Sequence, residues 1–272
     1  MSVSAVVRDK KGKVVKSLAA KDFIVAEGGK DRKIVSIQSD VNAPASIAFL
    51  VDSSGSMALG SARHSAKHIC DWVLSTLDKQ KDDAALFSFD TRLLTLREFT
   101  GSFEHVRTGL DEIGAWGATS IYDAIAGASS MVAERARNRR AVIVLTDGAD
   151  NWSSYSPDEV AWIASTIDVP VYVFAVGEGV NADAAAANPK AMYSPLAELA
   201  RSTGGDYFVA NNPALAVSGI SRLVDELRHQ YLIAFEPSTE QGMRRIEIRT
   251  KKANLRVNSR KWYAGNTTGA TD

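Results

Sequence analysis

Two kinds of apolar pattern divide this chain of 272 residues. Near the start, apolar positions alternate with polar ones: Val3, Ala5 and Val7, then Val14 and Val15, then Phe23 and Val25, then Ile34 and Ile37, with charged turns such as Asp9-Lys10-Lys11-Gly12 between them. A period of two puts alternate side chains on one face, which predicts short strands buried on one side. From Ser46 the apolar residues gather into continuous runs, IAFLVD, AALFSFD, AVIVLTD and VPVYVFAVG, rich in branched and aromatic side chains. Such runs predict parallel strands covered on both faces.

Between these runs Ala62, Ala66, Ile69, Val73, Leu74 and Leu77 recur at spacings of three and four, predicting an amphipathic helix from about Ser61 to Leu77. The same period runs through Ile121 to Glu134, Pro157 to Ile167, Leu196 to Arg201 and Pro213 to Arg228. Alternating strand and helix of this length imply an α/β fold, a doubly wound, mostly parallel sheet with right-handed crossovers. RLLTLREF follows AALFSFD after the short Asp90-Thr91 turn and is expected as an antiparallel edge strand.

After Arg228 the helical period stops, and HQYLIAF, RRIEIRT and LRVNSRKWY return to alternation. Neither end of the chain has enough strands for a stable two-layer core, so the two groups are expected to meet as one small β-sandwich. The expected organisation is residues 1–42 and 229–264 as that accessory sandwich, 43–228 as the α/β domain, and 265–272 as a flexible tail. The aperiodic stretch 178–193 reads as a surface loop.

Composition narrows the function classes. Lysine plus arginine and aspartate plus glutamate both number 32, so no long-range field gathers nucleic acid or an anionic membrane. The single cysteine, Cys70, closes no disulfide within the chain and reads as a small buried hydrophobe. No apolar run reaches the roughly 20 residues of a membrane helix, and MSVSAVVRDKKGK lacks the apolar core of a secretory signal.

In a doubly wound sheet, ligands bind where loops leave the carboxyl ends of the strands. Three such loops carry side-chain oxygens here. The run IAFLV leads into Asp52, Ser54 and Ser56, with Gly55 expected to permit a tight bend; AVIVL ends in Thr146-Asp147-Gly148; and Thr119 with Ser120 precedes the helix at Ile121. Two carboxylates and three hydroxyls, from Asp52, Ser54, Ser56, Thr119 and Asp147, form a hard all-oxygen set suited to Mg²⁺, with Mn²⁺ or Ca²⁺ as alternatives. Neutral hydroxyls offset little of the ion's charge, so a position left open to water stays electrophilic and a carboxylate from outside would satisfy it.

DSSGSM after an apolar strand, GATSIYDAI further on and VLTDGADN after the fourth run resemble the metal-site motifs of von Willebrand factor type A domains. The resemblance covers roughly Ser46 to Arg228. It implies a metal-ion-dependent adhesion site, with Ser54, Ser56 and Thr119 as direct ligands, Asp52 and Asp147 acting through water, and a protein partner whose Asp or Glu completes the ion. The flanks, VRDKKGKVVKSLAAKDFIVAEGGKDRKI and YLIAFEP, are similar to a bacterial group of type A-related proteins, which implies an extracytoplasmic address. The family also includes domains that switch through their last helix. Here that helix, Pro213 to Arg228, runs straight into HQYLIAF, which would couple a shift to the sandwich.

Other readings compete at each motif. DSSGS alone could be a helix cap and turn, and Asp150, Asn151 and Ser153 read as a simple turn outside the site. His64 and His68 lack a third ligand and read as surface or packing residues. Arg135, Arg137, Arg139 and Arg140 read as a solvated loop rather than a phosphate site. Trp116 and Trp152 flank the oxygen-bearing loops and are candidates for a rim that touches the partner. The expected function is a non-enzymatic binding module. The alternatives are a Mg²⁺-dependent phosphohydrolase, disfavoured because position 54 is Ser rather than a second carboxylate, and an assembly module in which the metal is dispensable.

Overall fold

The computed structural model describes residues 1–272 except 60, 115, 116, 137, 138, 149, 178–193 and 266–272. The expected surface loop 178–193, the tail beyond Gly265, Trp116 and Arg137 therefore lie outside the described residues.

Strands β1 (Ser2–Arg8), β2 (Phe23–Glu27), β3 (Lys30–Arg32) and β4 (Ile34–Gln38) precede the central sheet. That sheet holds β5 (Ala45–Asp52), β6 (Asp83–Phe89), β7 (Leu93–Thr100), β8 (Arg139–Thr146), β9 (Val171–Val176) and β10 (Tyr207–Ala210) in the order β10-β9-β8-β5-β6-β7. All neighbours are parallel except β7, which closes one edge antiparallel to β6, as the sequence predicts. Every residue of β5 is buried, because the strand lies in the middle of the sheet with helices on both faces. Alternation divides it cleanly. Ile47, Phe49 and Val51 face a core shared with α1 (Ala62–Thr76), α2 (Phe103–Asp111) and α6 (Pro213–Arg228). Ala48 and Leu50 face α3 (Ile121–Ala133), α4 (Pro157–Thr166) and α5 (Pro195–Ser202).

Besides the three-residue β3, a helix and a strand of the α/β unit were not expected from the sequence. Helix α2 is short, but Phe103, Val106 and Leu110 recur at spacings of three and four and are buried. Strand β10 is only four residues long, too short for periodicity to register.

The remaining strands are β11 (Tyr231–Phe235), β12 (Gly242–Thr250), β13 (Arg256–Ser259) and β14 (Trp262–Gly265). They join β1 to β4 in two sheets, β13-β1-β11-β4 and β14-β12-β2-β3, each taking two strands from either end of the chain. The inner faces share one core, containing Val3, Val7, Phe23, Val25, Tyr231, Ile233, Phe235, Ile246, Ile248 and Tyr263. LRVNSRKWY is therefore two strands in different sheets rather than one. The chain turns where the buried Arg260 donates to the carbonyls of Ser165, at 2.6 Å, and Ser2, at 2.7 Å, and pairs with Asp168 at 3.3 Å. Val14 takes part only in an isolated bridge to Arg8.

Arg135, Arg139 and Arg140, expected in a solvated loop, bind protein groups instead, and Arg139 and Arg140 lie in β8 itself. Arg139 is buried and donates to the carbonyls of Ala43, at 2.7 Å, and Arg228, at 3.1 Å, clasping the segments that enter and leave the α/β unit. Arg140 donates to Ala133 and Ile167, and Arg135 to Asp83. A buried backbone carbonyl needs a donor, and a guanidinium offers five.

Glu27 anchors the sandwich. Its buried carboxylate accepts from Tyr263 Oη at 2.6 Å, Arg244 Nη1 at 2.8 Å and the Ser238 backbone at 2.9 Å, and pairs with Arg32. Burial pushes the carboxyl up, but the hydrogen bonds from Tyr263, Ser238 and Arg244 and the charge of Arg32 outweigh it, bringing it from 4.5 down to about 2. A depressed acid favours the folded state above the unfolded pKa and loses that advantage as pH falls through the folded one. The contribution, about 3 kcal/mol, should be complete above pH 4.5 and vanish toward pH 2. Urea midpoints across that window should fall more steeply for the wild type than for Glu27→Gln; parallel slopes would contradict the assignment.

Candidate functional site

Because β5, β6, β8 and β9 run parallel, their carboxyl ends share one edge of the sheet. Asp52, the last residue of β5, is buried there. Its Oδ2 accepts from Thr146 Oγ1 at 2.6 Å, which ties it to the end of β8, and its Oδ1 accepts from the Ser54 backbone at 2.8 Å. The chain stays extended through Ser54 and then makes a 3-10 turn over Gly55–Ala58. That turn brings the hydroxyls of Ser54 and Ser56 to 3.1 Å from each other. Ser56 Oγ in turn donates to Asp147 Oδ1 at 2.9 Å. Asp52, Ser54, Ser56 and Asp147 thus form one hydrogen-bonded group drawn from two loops.

Thr119 comes to this group indirectly. Among the described residues no hydrogen bond joins its side chain to the other four. Instead its backbone N–H donates to Asn151 Oδ1 at 2.8 Å, and its carbonyl accepts from the backbones of Asn151, at 3.0 Å, and Trp152, at 3.2 Å. Those residues lie just beyond Asp147, so the Thr119 loop is fastened to the segment that carries the second carboxylate.

Two sequence expectations change here. Gly55 has no left-handed φ, and a Cβ built on it would meet nothing within 4 Å, so the bend makes no demand for glycine. Asp150, Asn151 and Ser153, expected as a simple turn, instead frame the site. The first N–H groups of a helix have no partner within it, and Ser120, the residue before α3, makes no side-chain cap. Asp150 Oδ1 takes the N–H of Ile121 at 2.8 Å, and Ser153 Oγ takes that of Tyr122 at 3.0 Å. Asp123 returns the contact, its Oδ1 accepting from the backbones of Ser154 at 3.0 Å and Tyr155 at 2.9 Å. The sequence offered only the oxygen side chains of Asp150, Asn151 and Ser153; that Ser120 leaves the start of α3 uncapped is visible in the structure alone.

Other backbone bonds lock the loops together. The N–H and Oγ of Ser53 both donate to the carbonyl of Phe89, at 2.8 and 2.9 Å, and Ser120 N–H donates to the carbonyl of Asp90 at 2.8 Å. Gly117 sits between, with φ +87°, where a Cβ would lie 3.3 Å from Asp90 Cβ and in a backbone region that L side chains rarely adopt.

The electrostatics ask for a cation. Burial pushes the Asp52 carboxyl up; hydrogen bonds from Thr146 and Ser54 oppose this, and the neighbouring charge of Asp147 adds to it. Among the described residues no Lys or Arg forms an ion pair with either carboxylate. A divalent ion would supply the missing positive charge and reverse the shift. Among the described residues no three His, Cys, Asp or Glu side chains converge, so hydroxyls must provide part of any coordination shell. The donors that do meet, on Asp52, Ser54, Ser56 and Asp147, are all oxygens, the kind a hard divalent ion prefers. His64 and His68, with ring centroids 5.9 Å apart, are exposed on α1.

Comparisons with known proteins agree with this architecture. Residues 47–149 match the von Willebrand factor type A domain family. No curated protein matches the chain. Among solved structures, the conserved protein BatB from Bacteroides thetaiotaomicron superposes with a TM-score of 0.53 at 19% identity, covering 67% of this chain and 98% of that one. A von Willebrand factor type A protein from Catenulispora acidiphila gives 0.55 at 13% identity and covers 98% of this chain and 74% of its own, so the likeness of fold extends over the outer strands. Proximal thread matrix protein 1 of the mussel byssus, solved with a zinc-occupied MIDAS motif, gives 0.57 at 19% identity over 75% of this chain and 50% of that one. Residues 47–149 thus carry the von Willebrand factor type A match, and the structures similar to the chain share its fold.

Proposed function

We propose that the chain is a non-enzymatic adhesion module. In this reading residues 43–228 bind a divalent cation, Mg²⁺ or in its place Mn²⁺ or Ca²⁺, through Ser54, Ser56, Thr119, Asp52 and Asp147. Residues 1–42 and 229–264 serve as the accessory sandwich. An acidic side chain of a protein partner completes the coordination, at an extracytoplasmic location. The observation that carries this is the hydrogen-bonded group of Asp52, Ser54, Ser56 and Asp147, in which a buried carboxylate has, among the described residues, no cationic side chain paired with it. The zinc in the mussel protein's site supports cation binding by this fold and makes Zn²⁺ a necessary comparison in titrations.

The chemistry follows from the donors. Bound cation would polarise whatever oxygen enters the position that the protein leaves open, and a carboxylate offers the best match in charge and hardness. Asp52 and Asp147 would orient the hydroxyls: Ser56 already donates to Asp147, and the Ser54 backbone to Asp52. Phosphoryl transfer would want a carboxylate nucleophile and a Lys or Arg clamp on the transferred group. Ser occupies position 54, and the described residues place no such clamp against Asp52 or Asp147.

The direct test is capture of partners from the native source with and without chelator, compared with Thr119→Ala. Equal capture in every arm would remove the metal from the function and favour an assembly role. Turnover of a phosphate ester that is lost in Thr119→Ala would favour the enzyme. A further expected result concerns the frame: Asn151→Ala should weaken Mn²⁺ binding by about tenfold in calorimetric titration, because residues that orient ligands commonly contribute 10–100-fold to metal affinity. An unchanged Mn²⁺ isotherm would show that the Thr119 loop needs no such anchor.

A further inference from the structure

Among the described residues most large apolar side chains are buried, and the two most exposed lie beside the candidate site: Leu59 at 72% and Trp152 at 66%. Each is held by the main chain of a site residue. The N–H of Leu59 donates to the carbonyl of Ser56 at 2.9 Å, and that of Trp152 to the carbonyl of Thr119 at 3.2 Å. Tyr155, 46% exposed, follows in the same loop and is pinned by the Asp123 carboxylate at 2.9 Å. Backbones fixed in this way cannot easily turn their side chains inward, so the exposure is built into the loops. Scattered exposed apolar residues are ordinary, but a pair raised on two different loops around one polar centre marks an interaction surface.

We infer that the partner presents its acidic residue on a segment with large apolar side chains on both flanks, one seating against Leu59 and the other against Trp152 and Tyr155. Coordination fixes the centre of that segment: the open position of a hard ion takes an oxygen donor, a carboxylate best of all, and a protonated lysine or arginine has no lone pair to offer it. The rim then sets selectivity. Carboxylates are abundant on every protein surface, and an ion alone distinguishes poorly among them. Apolar flanks that lose water on both sides of the ion add affinity only to ligands that carry matching groups. Tryptophan and tyrosine suit the role because they bring a large area with few rotatable bonds.

The inference rests on the adhesion reading, and one experiment separates the two. Two synthetic peptides of equal length and charge serve as probes, one with aspartate between leucine and phenylalanine, the other with aspartate between glycines. Each is titrated in Mg²⁺ and again in chelator. In Mg²⁺ the apolar-flanked peptide should bind about tenfold or more tightly than the glycine-flanked one. Leu59→Ser and Trp152→Ser should each reduce that preference while leaving the Mn²⁺ isotherm unchanged. A preference that persists in chelator would support the apolar rim and sink the role of the metal. Binding that needs Mg²⁺ but does not distinguish the peptides would overturn the rim and leave the metal standing. Absence of binding by both peptides at millimolar concentration, or an undiminished preference in both variants, would also overturn it.

Discussion

Asp52→Asn should abolish the rise in melting temperature that Mg²⁺ or Mn²⁺ gives the wild type, while leaving the cation-free protein as stable as the wild type or more so. The two halves have one cause. Without an ion, the Asp52 carboxylate is a buried charge whose protonation is favoured by its surroundings, held by hydrogen bonds from Thr146 and Ser54 that an amide oxygen can still accept in part. Removing the charge relieves the protein of a desolvated anion. With an ion present the same charge supplies the main attraction, so the variant's affinity should fall by about 100-fold or more. At a cation concentration about 100 times the wild-type Kd, ligand linkage is worth about 2.7 kcal/mol, ample to read in a thermal melt. An identical cation-induced shift in wild type and Asp52→Asn would remove this residue from the site.

The second large effect lies where α6 meets the sandwich. Glu226, wholly buried on α6, pairs with Arg8 on β1, itself buried. Burial, and then the charge of Arg222, pull the Arg8 guanidinium down to about 10, still charged at neutral pH. Arg222 also lies 3.8 Å from Glu226 but is partly exposed and already engages Asp206. Arg8→Ala should therefore strand a buried carboxylate and cost about 3–5 kcal/mol, read as a lower urea midpoint. Replacing both partners, Arg8→Met with Glu226→Leu, should recover most of the loss, since a buried ion pair often contributes little over an apolar pair of similar size. A loss below about 1 kcal/mol for Arg8→Ala would mean that Arg222 or water takes over.

The fold was legible because its strongest signals are local. The continuous apolar runs of β5, β6, β8 and β9 can only be strands shielded on both faces, and the helical period between them leaves few topologies. The sandwich could be inferred because neither terminal group could form two layers alone. The turn at Arg260 could not, since what splits β13 from β14 is a bond to carbonyls far away in sequence. At the site, ligand-type residues announce themselves by chemistry, and Asp52, Ser54, Ser56 and Asp147 do meet. The roles of Asp150, Asn151 and Ser153 depend on α3 starting beside their loop, a contact that no spacing along the chain encodes. Arg139 misled for the same reason: charge density in a short stretch suggests water, whereas distant carbonyls drew this guanidinium inward.

The interleaving of the two chain ends has a kinetic consequence. Strands β1 to β4 are synthesised before the central sheet, yet each outer sheet also needs two of the strands β11 to β14, so those early strands have no complete partner set until the chain through β14 has left the ribosome. The register Ile37↔Ile233 marks how close the two ends of the intervening segment finish. A collapsed central sheet would shorten the loop that has to be closed before β4 can find β11, lowering its entropic cost. Nascent chains halted before Tyr231 should accordingly protect the central strands from proteolysis while the first forty residues stay open to cleavage.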